Sequence, residues 1–286
     1  MQEAPEKDKL MRNTIKLCSK LALSLTLFSC IATSGPSARS GFAVAQNGAP
    51  PSDSDQSITV GGIQRSYTLD IPPGYDDSKP VPLVFILHGR GGSGKGIELT
   101  TNMSAKADKE TFIAVYPNAA GNPAIWNSGI GAATNGADDV GFIRALLDKL
   151  EHDFRIDAHR IYCCGFSAGA IMSYSLGAGL SDRLAAIGVA SGSIGAKQPN
   201  GSVRTISLPS HALPVIVFHG KQDQTIYYNG GGIYLNLLSV ADSIAFWVKA
   251  DGCAAPPQQK TEQNGNLVID NTTDARTEAK SSCTLL

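Results

Sequence analysis

Three short stretches hold side chains able to do covalent or proton-transfer chemistry, and each follows a run of apolar residues. His88-Gly89-Arg90-Gly91-Gly92 follows the run 81–87, Gly165-Phe166-Ser167-Ala168-Gly169 follows 161–164, and His219-Gly220-Lys221-Gln222-Asp223 follows 215–218. A serine with glycine two places before and two places after it, between a buried-type strand and a helix, fits a sharp turn that lifts a nucleophilic hydroxyl above a sheet. Ser167 is therefore the candidate nucleophile, and the amide of Ala168, at the start of the helix, can donate to an oxyanion. The glycine-rich loop at 89–92 suits a second donor, because backbone without side chains can approach the reacting carbonyl closely. Arg90 is the expected amide there, with Gly89 and Gly91 as alternatives. Asp223 follows Ser167 by 56 residues and ends a later strand, where an acid that orients a histidine belongs. The competing readings are structural: Ser167 as a helix cap, 89–92 as a flexible or phosphate-holding turn, and Asp223 as a turn aspartate. Gly92-Ser93-Gly94-Lys95 lacks the spacing and the trailing Ser/Thr of a P-loop, which removes the nucleotide reading.

The elements that must hold these stretches alternate in type. A hairpin is expected over 58–60 and 67–71 around Gly61-Gly62, with strands at 81–87, 112–116, 161–164, 185–190 and 215–219. Between them, Val140, Ile143, Leu146, Leu147, Leu150 and Phe154 form one helical stripe, 168–176 reads as a helix after the serine, and 239–249 as another with Ser239 and Asp242 at its N-terminus. Strands alternating with helices imply a mostly parallel sheet with helices on both faces, whose ligands gather at the C-terminal ends of the strands. All three chemical stretches stand at such ends.

Several further motifs share an order with these. Asp138-Asp139-Val140-Gly141-Phe142-Ile143, Ile156-Asp157-Ala158-His159-Arg160-Ile161-Tyr162, the serine turn, Phe218-His219-Gly220-Lys221-Gln222-Asp223 and Tyr228-Asn229-Gly230-Gly231 together resemble the polyhydroxybutyrate depolymerase and feruloyl esterase family of secreted α/β-hydrolases. The resemblance runs from about residue 66 to 283. It implies an α/β-hydrolase fold and ester hydrolysis through an acyl-enzyme, with Ser167 as nucleophile, Asp223 as acid and Cys253 paired with Cys283. The chain departs from the family in carrying Ala168-Gly169-Ala170 where Asn and two glycines are common. A larger departure concerns the base. The expected order is serine, acid, histidine, yet His88, His152, His159, His211 and His219 all precede Asp223. The family's histidine follows a strand that begins near the second cysteine, so the domain is expected to lack its C-terminal end, with the catalytic histidine absent. The alternative is a pseudoenzyme that binds a polymer or glycan in the same cleft.

The remaining sequence bounds these readings. Arg12, Lys16 and Lys20 precede an apolar run at 21–33, and Ala43-Val44-Ala45 offers a small-residue cleavage site, so 1–45 reads as an export signal, with Met11 as a possible start and lipid attachment at Cys30 as the lesser option. A Pro/Ser/Asp-rich linker at 46–56 and one domain over 57–286 are expected after it. Export permits disulfides, and Cys253 with Cys283 can close a loop of 30 residues. Cys163 and Cys164 alternate along a strand and read as small core residues. Lys and Arg number 24 against 25 Asp and Glu, for a net charge of -1, which argues against nucleic acid or an anionic membrane as partner. The expected partner is an ester substrate, polymeric or aryl, met by a monomer. Trp126 and Tyr228 are the candidate substrate contacts. Cysteine and histidine are scattered without ligand spacing, so no metal or other cofactor is expected.

Overall fold

The computed structural model describes residues 54–131, 136–253, 258–264, 267–273 and 284–285. In chain order the elements are β1 (Ser54–Val60), β2 (Ile63–Asp70), β3 (Val81–Leu87), α1 (Gly94–Thr101), α2 (Met103–Glu110), β4 (Ile113–Pro117), α3 (Asp139–Asp153) and β5 (Ile156–Phe166). After the serine come α4 (Ala168–Gly179), β6 (Ala186–Ala190), β7 (Gly195–Lys197), β8 (Val203–Thr205), β9 (Val215–Phe218), α5 (Val240–Ala250), β10 (Gln258–Asn264), β11 (Leu267–Thr273) and β12 (Thr284–Leu285).

Ten of these strands form one sheet in the order β1-β2-β4-β3-β5-β6-β9-β12-β11-β10. From β4 to β12 the neighbours run parallel, and an antiparallel hairpin closes each edge. Strands β3, β4, β6 and β9 are apolar along their whole length, and β5 over its C-terminal half, because both faces are covered there. In β3, Leu83, Phe85 and Leu87 join one core, while Val84 and Ile86 join the other. The first core receives the α3 stripe of Phe142, Ile143, Leu146, Leu147 and Leu150, together with most of α4 and Trp247 of α5. The second receives Ile97, Met103 and Ala107 from α1 and α2. Cys163 and Cys164 divide between the two cores, as their alternation on β5 requires.

Local chemistry sets the helix starts. The Asp138 carboxylate accepts from Gly141 N at 2.8 Å to begin α3. Ser239 and Asp242 form a reciprocal capping box on α5. Several features depart from the sequence reading. β1 begins at Ser54, inside the expected linker, because residues 54–56 pair with 67–69 and extend the edge hairpin. The Gly92-Ser93-Gly94-Lys95 stretch opens a helix that the sequence reading did not contain: Ser93 Oγ caps α1 by accepting from Gly96 N at 3.1 Å. Gly94 presses on the Tyr116 carbonyl, where a Cβ would overlap backbone, so its glycine serves packing. Among the described residues no helix is long and apolar enough to cross a membrane. The expected export signal and most of the expected linker lie outside the described residues, as do Cys30 and Cys283.

Candidate active site

The parallel run of β3, β5, β6 and β9 brings the three chemical stretches to one sheet edge, each at the C-terminal end of its strand. Between β5 and α4 the chain reverses at Ser167, whose backbone stands at φ 55° and ψ -118°. A non-glycine residue pays roughly 1–3 kcal/mol to remain there. The hydroxyl makes no capping bond to α4, so the strain cannot be assigned to a helix cap. The flanking glycines explain how the turn fits. A Cβ on Gly165 would overlap the Gly169 carbonyl, and one on Gly169 would overlap the Leu87 carbonyl and lie 2.6 Å from His88 O. Ser167 N donates to Ala190 O at 2.9 Å, which ties the turn to β6, while its side chain remains partly exposed.

Facing the turn is the loop after β3. A Cβ built on Gly89 would stand 3.5 Å from Ser167 Cβ, so loop and serine are in direct register. Within the loop, Gly91 N donates to Ala124 O at 2.7 Å and Gly92 N to Gly89 O at 3.1 Å, so both amides are already engaged. That removes Gly91 from the alternatives for the second oxyanion donor. Ala168 is the first residue of α4, so its N–H lies at the positive end of the helix dipole.

Asp223 follows β9 and is fixed on several sides. Its Oδ1 accepts from Thr225 N at 2.9 Å and Ile226 N at 3.0 Å. Burial pushes its pKa up, but these two amides, the Ser191 hydroxyl and nearby His219 outweigh that and hold the carboxyl below the usual range. Ser191 directly follows β6 in the left-handed region, at φ 55°, and its N donates to Phe218 O at 2.8 Å. The strand that anchors the Ser167 turn thus also anchors the acid.

Beside the turn lies a cleft of about 260 Å³. Ser167, Ala168 and Arg90 line one part of it, with Trp126, Ile171 and Ile226 among its apolar walls. Trp126 is buried, and its Nε1 donates to His88 O at 2.9 Å. Tyr228 does not line the cleft. Its ring packs edge-on against His219, with centroids 5.9 Å apart. Tyr234 lines the cleft instead, 64% exposed and with the Arg90 guanidinium 4.9 Å from its ring centroid. The sequence signal for Tyr234 is the run Gly230-Gly231-Gly232, all at positive φ, which lets the chain double back over the cleft after the acid.

The sequence model of the family described as esterase PHB depolymerase matches residues 65–229, a span that holds Arg90, Ser167 and Asp223. The chain belongs to that family. A probable feruloyl esterase C from Aspergillus niger is 35% identical over 204 residues, 67% of this chain and 72% of that one. Feruloyl esterase B from Piromyces equi is 27% identical over 215 residues, 72% of this chain and 39% of that one. Feruloyl esterase C from Emericella nidulans is 34% identical over 173 residues, 58% of each chain. The chain spans less than two thirds of the length of two of these three. Among solved structures, acetyl xylan esterase from Aspergillus awamori superposes with a TM-score of 0.59 at 18% identity, over 77% of this chain and 88% of that one. That likeness shows the α/β-hydrolase fold.

The five histidines of this family member stand as follows. His88 is buried, with both ring nitrogens hydrogen-bonded. His152 is exposed at the end of α3, and His159 lies in the early part of β5, away from the C-terminal edge. His211 bonds Ser210 Oγ at 3.0 Å in the loop before β9. His219 is enclosed; its Nε2 lies 2.8 Å from Ile226 O and 3.6 Å from Asp223 Oδ2. Among the described residues no group of three or more His, Cys, Asp or Glu side chains is disposed to hold a metal ion.

Proposed function

We propose that this protein is a serine hydrolase of carboxylic esters, with Ser167 as nucleophile, Asp223 as the acid that orients the base, and Ala168 N with Arg90 N as oxyanion donors. The observation that carries the reading is the strained backbone of Ser167 at the mouth of the cleft, because no helix-capping bond accounts for its cost. In the reaction, Ser167 Oγ adds to the ester carbonyl carbon and its proton passes to a base. The alcohol leaves carrying a proton, and water then attacks the acyl-serine to release the acid and restore the hydroxyl. The two amides stabilise the oxyanion at each tetrahedral stage.

Asp223 Oδ1 accepts from two amides, so Oδ2 is the oxygen that the reading assigns to orienting an imidazole. None of the five histidines in the sequence is a good candidate for that imidazole. His219 approaches Oδ2 but turns its Nε2 to Ile226 O. β12 lies parallel to β9, with Leu285 opposite Val215, so it points towards the edge that holds Asp223. The apolar cleft and the feruloyl esterases among the relatives support aryl acyl esters as substrates, with polymeric hydroxyacid esters as the second class. Export is supported by the basic and apolar leader. A Cys253–Cys283 disulfide and a monomeric state belong to the same reading.

The test is release of 4-nitrophenolate from 4-nitrophenyl acetate, and of ferulate from methyl ferulate, by the protein and by Ser167→Ala. Each is assayed with and without 50–200 mM imidazole, roughly the range in which a free base can stand in for a positioned one. Ser167-dependent hydrolysis that rises with imidazole supports the reading. The scarcity of a placed histidine favours a second reading, a binding protein on the same cleft. That reading predicts saturable ferulate binding with no Ser167-dependent turnover under either condition.

A further inference from the structure

His88 is a buried histidine in contact with the oxyanion loop, and the proposed reaction leaves it without a task. Its tautomer follows from its partners. Ala119 N donates to its Nε2 at 3.0 Å, and a backbone amide can only donate, so Nε2 carries no proton. The neutral ring therefore holds its proton on Nδ1, which lies 2.7 Å from Gly89 O and donates to it. Gly92 N donates to the same oxygen at 3.1 Å. The only cis peptide among the described residues is Asn122-Pro123, so the Gly89-Arg90 peptide is trans. In a planar trans peptide the C=O and N–H point in opposite directions. Two donors that pull Gly89 O towards the His88 ring therefore turn Arg90 N–H away from it.

The neighbouring peptide is fixed in the opposite sense. His88 O accepts from Trp126 Nε1 and faces the Gly169 side of the serine turn, which directs Gly89 N–H away from that turn. Gly91 N is bound to Ala124 O. Arg90 N–H is the loop amide left to face the cleft it lines with Ser167 and Ala168.

We propose that His88 is a positioning residue for the oxyanion hole: its Nδ1–H holds the Gly89 carbonyl and so aims Arg90 N–H at the oxygen of a substrate bound to Ser167. The inference rests on the esterase reading and adds to it the group that sets the donor's direction. A tilted ring of Trp126, with its centroid 5.1 Å from that of His88, keeps the imidazole in place. Burial pushes the His88 pKa down, against the opposing effects of the Gly89 carbonyl and Asp139. The ring so kept neutral can go on accepting from Ala119. A protonated ring would set two N–H groups against each other at Nε2.

The test has two arms. In the unaltered full-length protein, nitrogen NMR of labelled histidine should show His88 as the Nδ1–H tautomer. In the second arm, a fluorophosphonate reacts with Ser167 through a P=O group that occupies the oxyanion site. His88→Asn keeps a donor near the Nδ1 position and should hold kinact within about threefold. His88→Phe keeps the ring volume without the donor, and should lower kinact by about 10- to 100-fold with KI little changed, since misdirecting one oxyanion donor costs less than deleting it. An Nε2–H tautomer, or equal kinact for folded Asn and Phe variants, overturns the inference. If both variants fail to fold, the tautomer alone decides it. Absence of Ser167 labelling in the unaltered protein defeats the esterase reading instead, and with it the oxyanion role given to Arg90.

Discussion

Replacing Ser167 by glycine should stabilise the protein while abolishing its reactivity, and the comparison with Ser167→Ala isolates the cause. Both variants lose the hydroxyl, so they differ only in a Cβ at φ 55° and ψ -118°. Alanine retains a strain of roughly 1–3 kcal/mol in this region, which glycine does not have. Against this, glycine costs about 0.4–1 kcal/mol through the greater freedom of the unfolded chain. The net expectation is that Ser167→Gly exceeds Ser167→Ala by about 1–2 kcal/mol. For a domain of this size that is a rise of about 2–8 °C in Tm. Reversible urea unfolding followed by circular dichroism, backed by calorimetry, measures the difference, and fluorophosphonate labelling should be lost in both. A glycine variant equal to or less stable than the alanine variant would refute the argument that Ser167 is held in strain for its chemistry.

Other outcomes follow from the same geometry. Gly169→Ala places a methyl group against the Leu87 and His88 carbonyls and should destabilise by about 3 kcal/mol or more, read as a lowered urea midpoint with unchanged slope. Asp223 has a depressed folded pKa, so its contribution is fully present above the ordinary carboxylate pKa and is lost as pH falls below that through the lower folded pKa. Asp223→Asn should flatten that acid limb of the stability–pH curve, measured by urea midpoints from pH 3 to 7. Asp251 behaves in the opposite way. Burial pushes its pKa up to about 6, only partly offset by the Leu213 amide, so the folded state holds this proton more tightly than the unfolded chain. Stability attributable to it falls as pH rises from about 4 to about 6, and Asp251→Asn should gain about 1 kcal/mol at pH 7.5 and almost nothing at pH 4, after discounting for partial exposure.

Much of the site was legible because it depends on short-range rules. The serine turn, the glycine loop and the acid each follow an apolar run long enough to be a strand, and parallel topology then forces their ends together. The α5 start was readable from Ser239 and Asp242 for the same reason. What escaped the sequence depends on contacts between distant residues. Tyr228 and Tyr234 are equally aromatic and equally close to a glycine run, and only the path of the chain through Gly230, Gly231 and Gly232 decides which one faces the cleft. That the Gly91 amide is already bound to Ala124 O was likewise invisible in the sequence, because the partner lies far along the chain. The helices α1 and α2 escaped because their apolar faces are short, with few buried residues apiece to mark a stripe.

The central claim is that the Ser167 hydroxyl is a reactive nucleophile at the edge of the sheet. Incubation of the intact protein with a fluorophosphonate, followed by proteolysis and mass spectrometry, tests it most directly. The account predicts a single adduct on the peptide containing Gly165-Phe166-Ser167-Ala168-Gly169, enhanced by added imidazole and absent after unfolding in urea. An unlabelled protein, or label on another serine with Ser167 untouched, would contradict it.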